Sequence, residues 1–415
     1  MTLPPSRRRA IFALVLAAGI LNLVDRQIIA VLKPVISADL GWTDDDYGTL
    51  AAWFQGAAAI AFLGTGWIAD KLGVKWANPL GVVSWSLAAI AHAWAFTMGQ
   101  FAAVRAALGA TEAMGTPTGV KTIATIFPPH LRSTGFGILN AVNSVGAILA
   151  PLAIPLIAAL YGWRAAFVFA GLLGLVWAAF WLIATRGVSF EDTPEETADA
   201  APEASDYGPI VQERRTWAVA IAKVLSDSTW WLLLFWMPDF FNRQFGLSGT
   251  DLGPPLAVAY TGSAIGSLLA GTIASRLLAQ GHSVNRVRKG VMLAAGLLVL
   301  PIPLALFAGN VWGATLILAV ALAGHQAFST TVFSLISDIA PREKVGRVTS
   351  FGAFCGNIGG MAIVKVAGLV LMAGLGYLPL FLFASISYLL AVGWIHLLLP
   401  EIRRAPGAGG LAVGH

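Results

Sequence analysis

The feature that most constrains this chain is a succession of apolar runs, each long enough to cross a bilayer, spread over almost its whole length. A helix needs about 20 predominantly apolar residues to span the hydrocarbon. Breaks in hydropathy divide the 415 residues into twelve such runs, near 10–31, 47–69, 78–97, 100–127, 134–159, 166–185, 217–241, 252–278, 290–308, 313–339, 349–373 and 378–399. Only 11% of the residues are charged, against about 25% in soluble domains. The chain therefore reads as an all-α integral membrane protein of twelve transmembrane helices.

A net charge of +5 would suggest nucleic acid as the partner of a soluble protein, but here the placement of the basic residues explains it. Arg7, Arg8, Arg9, Lys71, Lys75, Arg132 and Arg186, then Arg214, Arg215, Arg276, Arg286, Lys344 and Arg403, fall at alternate ends of the spans. The other ends carry Lys33, Arg164 and Arg243. Basic loops stay in the cytoplasm, which puts both termini there. The start, Arg7-Arg8-Arg9 before an apolar run, resembles a secretion signal; Asp25-Arg26 follows at once without a small-residue cleavage site, so the first helix is expected to remain.

Between the sixth and seventh runs, Glu191 through Asp206 is acidic and rich in Ala and Pro, a composition that cannot bury a core. It divides the chain into a six-helix bundle at 1–186, a linker at 187–215, a second bundle at 216–400 and a tail at 401–415. The halves echo each other: Gly66-Trp67-Ile68-Ala69-Asp70-Lys71-Leu72 closes the second run, and Gly271-Thr272-Ile273-Ala274-Ser275-Arg276-Leu277 closes the eighth. Repeated halves suggest a transporter with its site at midplane between two pseudo-symmetric bundles.

Charges inside the runs are the functional signal. Asp25, Arg26, Arg105, Glu112 and Lys121 lie within the first half's apolar stretches, and Lys223 and Lys365 within the second's. Such a charge costs at least about 2.5 to 3.5 kcal/mol on insertion scales and marks a polar pathway through the membrane. A purely structural ion-pair network is the alternative.

Gly66-x-x-x-Asp70-Lys71-x-Gly73-x-Lys75 combines a helix end, an acid, a glycine turn and flanking cations. It resembles the signature loop of the major facilitator superfamily, and makes Gly66, Asp70, Lys71, Gly73 and Lys75 the candidate conformational gate. Leu21-Asn22-Leu23-Val24-Asp25-Arg26-Gln27 resembles the Asn-Tyr-x-Asp-Arg-Gln segment of the anion:cation symporter family. Arg105 through Glu112-Ala113, Pro117, Gly119 and Lys121, then Asn140, Ala150-Pro151, Gly162-Trp163-Arg164 and Trp230-Trp231, are similar to its hexuronate branch. Two departures bear on which sugar acid is carried: Leu23 stands in place of the tyrosine, and Ala58 where that branch has a cavity-facing tyrosine.

Arg105 and Glu112 are seven residues apart, on one helix face and about 10 Å apart along the axis. Asp25 and Arg26 point about 100° apart, so one faces the cavity and the other is shared with a neighbouring helix. Asp25 and Glu112 are the candidate proton carriers. Arg26 and Arg105 are the candidate carboxylate ligands, with Lys121, Asn140, Asn143, Tyr260, Gln326 and Asn357 as further substrate-binding candidates. Each polar residue has a bland reading beside that one: Lys121 could snorkel, and the amides and Tyr260 could make helix-packing hydrogen bonds. Lys223 and Asp227, spaced i, i+4, suit a self-satisfied pair; His325 suits a satisfied core residue; Lys365 lacks a local partner.

No nucleotide-binding loop, metal-ligand spacing or nucleophile triad is present, so neither an enzyme nor any cofactor or metal is expected. The resemblance implies a proton-coupled symporter of an organic anion, a hexuronate or related sugar acid, in the bacterial cytoplasmic (inner) membrane. Its partners would be the anion, protons and the lipid bilayer, with no nucleic acid, and the protein a monomer. The alternatives are a transporter of another carboxylate, aromatic or monocarboxylic, or a drug exporter.

Overall fold

In hydrocarbon there is no water to bond backbone N–H and C=O groups, so apolar runs must satisfy them internally as helices; among the described residues there is no strand. The structure, a computed structural model, describes residues 4–127, 129–188, 190 and 207–402. Within these, the side chains at 70, 129–134, 136, 137, 140, 141, 143, 144, 342 and 343 are not described. The acidic stretch at 191–206 and the tail from 403 lie outside the described residues.

The long helices before the acidic stretch are α1 (Pro5–Val31), α2 (Lys33–Leu40), α3 (Asp44–Ala91), α4 (Met98–Glu112), α5 (Gly115–Ile126), α6 (Pro129–Tyr161) and α7 (Trp163–Ala184). Those after it are α8 (Arg214–Phe245), α9 (Gly253–Ala279), α10 (Val284–Val299), α11 (Val311–Ile339), α12 (Arg342–Met372) and α13 (Leu378–Leu398). Nine helices among the described residues are long and apolar enough to cross a membrane. The expected spans at 78–97, 100–127 and 134–159 are also largely helical; in the last of them the apolar helix with described side chains is Val145–Tyr161.

Two of the departures have local causes. The expected loop between the second and third runs is instead a sharp kink within α3, at Gly73, with φ 68° and ψ 163°. A side chain would strain that backbone, which glycine adopts freely. The expected span at 100–127 is broken into α4 and α5. Pro117 explains the break: it has no N–H to give, and its ring would meet the carbonyl of Ala113, four residues back. The side-chain amide of Asn22 donates to the Glu112 carbonyl at this point, over 3.4 Å.

Most of the packing joins helices that are distant in the chain. α1 lies on α6 and α7, α3 on α4 and α7, α8 on α12 and α13, and α9 on α11; between the two groups, α3 runs against α12 and α9 against α6. Large apolar side chains such as Ile60, Ile183, Leu268 and Phe307 face outward, whereas Gln55, Arg105 and Glu112 are buried. This inverts the usual soluble arrangement and suits a lipid surround.

The hydrogen bonds and ion pairs that join the two groups of helices among the described residues cluster at one end. Lys33 donates to Asp239 at 2.5 Å and to Asp44 at 2.7 Å. Arg243 pairs with Asp44, and also with Asp239 at 2.7 Å. Lys365 pairs with Asp45 and donates to Thr49 at 2.7 Å, and the Tyr47 hydroxyl donates to the Phe235 carbonyl at 2.7 Å. Gly73, 29 residues along α3 from Asp44, lies about 40 Å from this end.

Candidate functional site

The threonine of a capping box fixes the start of α4: Thr97 Oγ1 accepts from the Gln100 N–H, and Gln100 Oε1 accepts from the Thr97 N–H at 3.1 Å. The helix then runs against α3 so closely that a Cβ on Gly109 would come within 2.2 Å of the Phe54 carbonyl oxygen. Only glycine permits that approach, which lays the Phe54 ring against the next turn of α4. The Arg105 guanidinium carbon sits 4.5 Å from the centre of that ring. Arg105 is 0% exposed, and none of its three guanidinium nitrogens has a hydrogen-bond partner among the described residues.

Around it the other charges are gathered. Arg26 donates from Nε to Glu112 Oε2 at 2.5 Å, and its guanidinium lies 5.6 Å from the Phe54 ring and 5.7 Å from Trp231, on α8. Asp25 and Glu112 are buried, and neither Asp25 Oδ1 nor Glu112 Oε1 has a hydrogen-bond partner among the described residues. Arg26 is thus the one of the two neighbours that is shared with another helix, and Asp25 beside it in the sequence is buried. Arg26, not Arg105, is the hydrogen-bonded counter-ion of Glu112. The physical reason is reach: Arg105 lies two turns from Glu112 along one helix, whereas Arg26 comes across from α1 at its level.

A structural ion-pair network would leave each charge matched by direct contact. Arg105 departs from that pattern. A buried charged group without its hydrogen bonds is destabilising by more than the roughly 1–3 kcal/mol of a neutral one, and groups held in that condition are characteristic of functional sites. The two arginines and two carboxylates carry equal and opposite formal charge, so an entering anion would leave the cluster one negative charge in excess.

The remaining candidates are distributed unevenly. Tyr260 on α9 is buried, its hydroxyl without a hydrogen-bond partner among the described residues and its ring 6.4 Å from Trp230. Asn357 donates to the Ala353 carbonyl at 2.8 Å within its own helix. Gln326 is half-buried on α11. Lys121 lies on α5 toward the Gly73 end, its ammonium 3.4 Å from the Ala69 carbonyl. The side chains of Asn140, Asn143 and Asp70 lie outside the described ones. At the kink, Lys71 sits 5.0 Å from the Trp67 ring and Lys75 6.0 Å from that of Trp76; Gly66 has open space where a Cβ would be.

Four further residues find partners. Lys223 and Asp227 form the i, i+4 pair at 2.7 Å. His325 Nδ1 lies 2.7 Å from the Tyr388 hydroxyl, and its ring stacks on Trp230 at 5.0 Å. Lys365, without a partner in its own helix, finds Asp45 across the interface.

Sequence reasoning missed the Lys33, Asp44, Asp239 and Arg243 cluster. Asp239 and Arg243 have the i, i+4 spacing of a helical pair, which was a usable signal, but Lys33 lies 206 positions from Asp239 and only the fold joins them. It also passed over Gln55, whose Nε2 and Oε1 are both buried and have no hydrogen-bond partner among the described residues.

Residues 15–364 match the family model described as the Major Facilitator Superfamily. The chain is similar to a D-galactonate transporter of Escherichia coli O6:H1, 25% identical with 94% of this chain and 96% of that one covered. It is similar to a hexuronate transporter of Escherichia coli K12 at 26% identity, covering 91% of this chain and 90% of the relative. Among solved structures, a bacterial homologue of the human lysosomal transporter Spinster superposes with a TM-score of 0.76 at 17% identity, covering 97% of this chain and 100% of that one. At that identity the likeness concerns the fold.

Proposed function

The chain belongs to the major facilitator superfamily, and from that premise we propose that it is a secondary active transporter carrying an organic anion, a hexuronate or related sugar acid, inward with protons. The observation that carries this reading is the buried, unpartnered guanidinium of Arg105 beside Asp25, Arg26 and Glu112. A guanidinium offers a planar fork that matches a carboxylate in two places. Arg26 is engaged through Nε by Glu112, so Arg105 is the primary receptor for the substrate carboxylate and Arg26 the secondary one. Similarity to D-galactonate and hexuronate transporters supports a sugar acid in particular.

Proton coupling follows from charge. Carrying one negative charge inward against 100 mV, inside negative, costs about 2.3 kcal/mol, and one proton cancels it. The same proton restores neutrality to a cluster that the anion would leave negative, in surroundings where an uncompensated charge is expensive. Asp25 and Glu112 are the carriers. Uptake into proteoliposomes from a panel of hexuronates, hexonates and aromatic acids, with and without an inward proton gradient, tests the whole reading. Accumulation that survives a protonophore and follows sodium would show the wrong ion. Asp25→Asn is expected to abolish uphill uptake while leaving exchange of substrate across the membrane largely intact; equal loss of both would remove Asp25 from coupling.

The two six-helix bundles rock about this site in the proposed cycle. The Gly73 end carries Arg7, Arg8, Arg9, Lys71, Lys75, Arg214, Arg215, Arg286, Arg288 and Lys344, against Lys33, Arg164, Arg243 and Lys365 at the other, and on that excess of cations it is assigned to the cytoplasm. The Lys33 cluster then latches the outer side. Asp239 is its hub, accepting from Lys33, Arg243 and the Tyr377 hydroxyl at 2.5, 2.7 and 2.5 Å. Asp239→Asn keeps the shape and removes the charge, so thiol labelling of Ser37→Cys from the outside should rise several-fold in that background. Unchanged labelling would mean that the closure is held by something else.

A further inference from the structure

We propose that Gln55 is a specificity-determining residue that reads a hydroxyl group of the transported anion, and so separates polyhydroxylated acids from simple carboxylates. The proposal rests on the sugar-acid reading above and deepens it. Gln55 is 0% exposed, and both its amide nitrogen and its amide oxygen lack a partner among the described residues. It follows directly on Phe54, the ring that lies against both Arg105 and Arg26.

Its direction can be worked out from the helix. Tyr47 and Phe54 mark the stripe of α3 that meets α8, through the Phe235 carbonyl and ring. Asp45 and Thr49 mark the stripe that meets α12, through Lys365. Eight residues on from Tyr47, Gln55 is turned about 80° from the first stripe, roughly midway to the second. Gly48, seven residues earlier and about 20° away on the same face, lies where a Cβ would come within 2.9 Å of the Val364 carbonyl oxygen on α12, so Gln55 projects into the seam between the two groups of helices, on the turn that carries Phe54.

The chemistry is specific. A carboxamide holds donors and an acceptor on adjacent atoms and carries no charge, which matches a hydroxyl that both donates and accepts. A buried Met or Leu would fill the same volume without leaving hydrogen bonds unmade, so packing alone gives no reason for an amide here. A neutral reader also leaves the balance of the four neighbouring charges untouched. A site built to bond a substrate hydroxyl discriminates strongly against the analogue lacking it, because its own polar groups are then left unpaired.

The test uses the full-length protein in proteoliposomes, with Gln55→Met and the shorter amide Gln55→Asn. The readings are the KM for galacturonate and the inhibition constant for hexanoate, which carries the carboxylate without hydroxyls. In Gln55→Met the galacturonate KM should rise about tenfold or more with hexanoate inhibition unchanged, and Gln55→Asn should fall between it and wild type. The ratio of the two constants does not depend on how much protein folds, so a poorly expressed variant still reports. Wild-type uptake of galacturonate with an unchanged ratio in Gln55→Met would overturn the role of Gln55 alone. Failure of the wild type to carry any hydroxylated acid would instead remove the sugar-acid reading, and this proposal with it.

Discussion

Arg105→Lys is expected to weaken substrate binding about 100-fold, equivalent to roughly 2.7 kcal/mol, although the variant keeps its positive charge. The argument is geometric. The guanidinium of Arg105 lies 4.5 Å from the Phe54 ring with all its nitrogens unpartnered, and a planar cation stacked there presents its fork edge-on to an incoming carboxylate. A lysine ammonium is a compact point charge on a flexible stem; it cannot supply two parallel N–H bonds, and hydrogen bonds to charged groups are worth about 1.5–3 kcal/mol each. Lysine is also more strongly hydrated, which adds to the difficulty of holding it at a site that is 0% exposed. Arg26→Ala should weaken binding too, but by a different route, since it frees Glu112 from its 2.5 Å partner and adds an unpaired carboxylate to the cluster. Isothermal titration of purified protein with the best substrate of the panel separates the two. Affinity retained in Arg105→Lys would take Arg105 out of the site.

The membrane class was legible because apolar runs of bilayer length leave little choice of fold, and the charged residues within them stood out for the same reason. The break at Ala113 was also legible in principle, since Pro117 forbids the helical bond there, but a hydropathy average passes over a single residue. Charge pairing was legible only where it is local. Lys223 and Asp227 announce themselves by spacing; Lys365 with Asp45, or Lys33 with Asp239, are joined by the packing of α3 and α8 against their neighbours and have no sequence signature. The same limit applies to Glu112. Periodicity placed Arg105 on its face, but the partner came from α1, where the interhelical distance, not the spacing, decides. Buried amides such as Gln55 are the least legible of all, because a polar residue in a span looks the same whether it is satisfied or not.

The decisive experiment on coupling is substrate affinity against pH in the wild type and in Glu112→Gln. Glu112 accepts from Arg26 Nε through Oε2, while its other oxygen has no hydrogen-bond partner among the described residues and the side chain is 0% exposed. A substrate carboxylate that settles between the arginines competes for Arg26 and brings a second negative charge close to Glu112. A buried carboxylate deprived of its counter-charge is neutralised by a proton rather than left bare, and the neutral cluster can then close and turn. Reciprocity fixes the sign: if binding the anion promotes protonation, protonation must promote binding of the anion. Affinity in the wild type should therefore rise as pH falls, by up to about one decade per pH unit for one linked proton. In Glu112→Gln the side chain is permanently neutral, so affinity should be high and flat with pH, uphill uptake should be lost, and substrate exchange should persist. A variant that keeps the full wild-type pH dependence would show that the linked proton resides elsewhere, with Asp25, buried and carrying an unpartnered oxygen a single residue from Arg26, as the group to replace next.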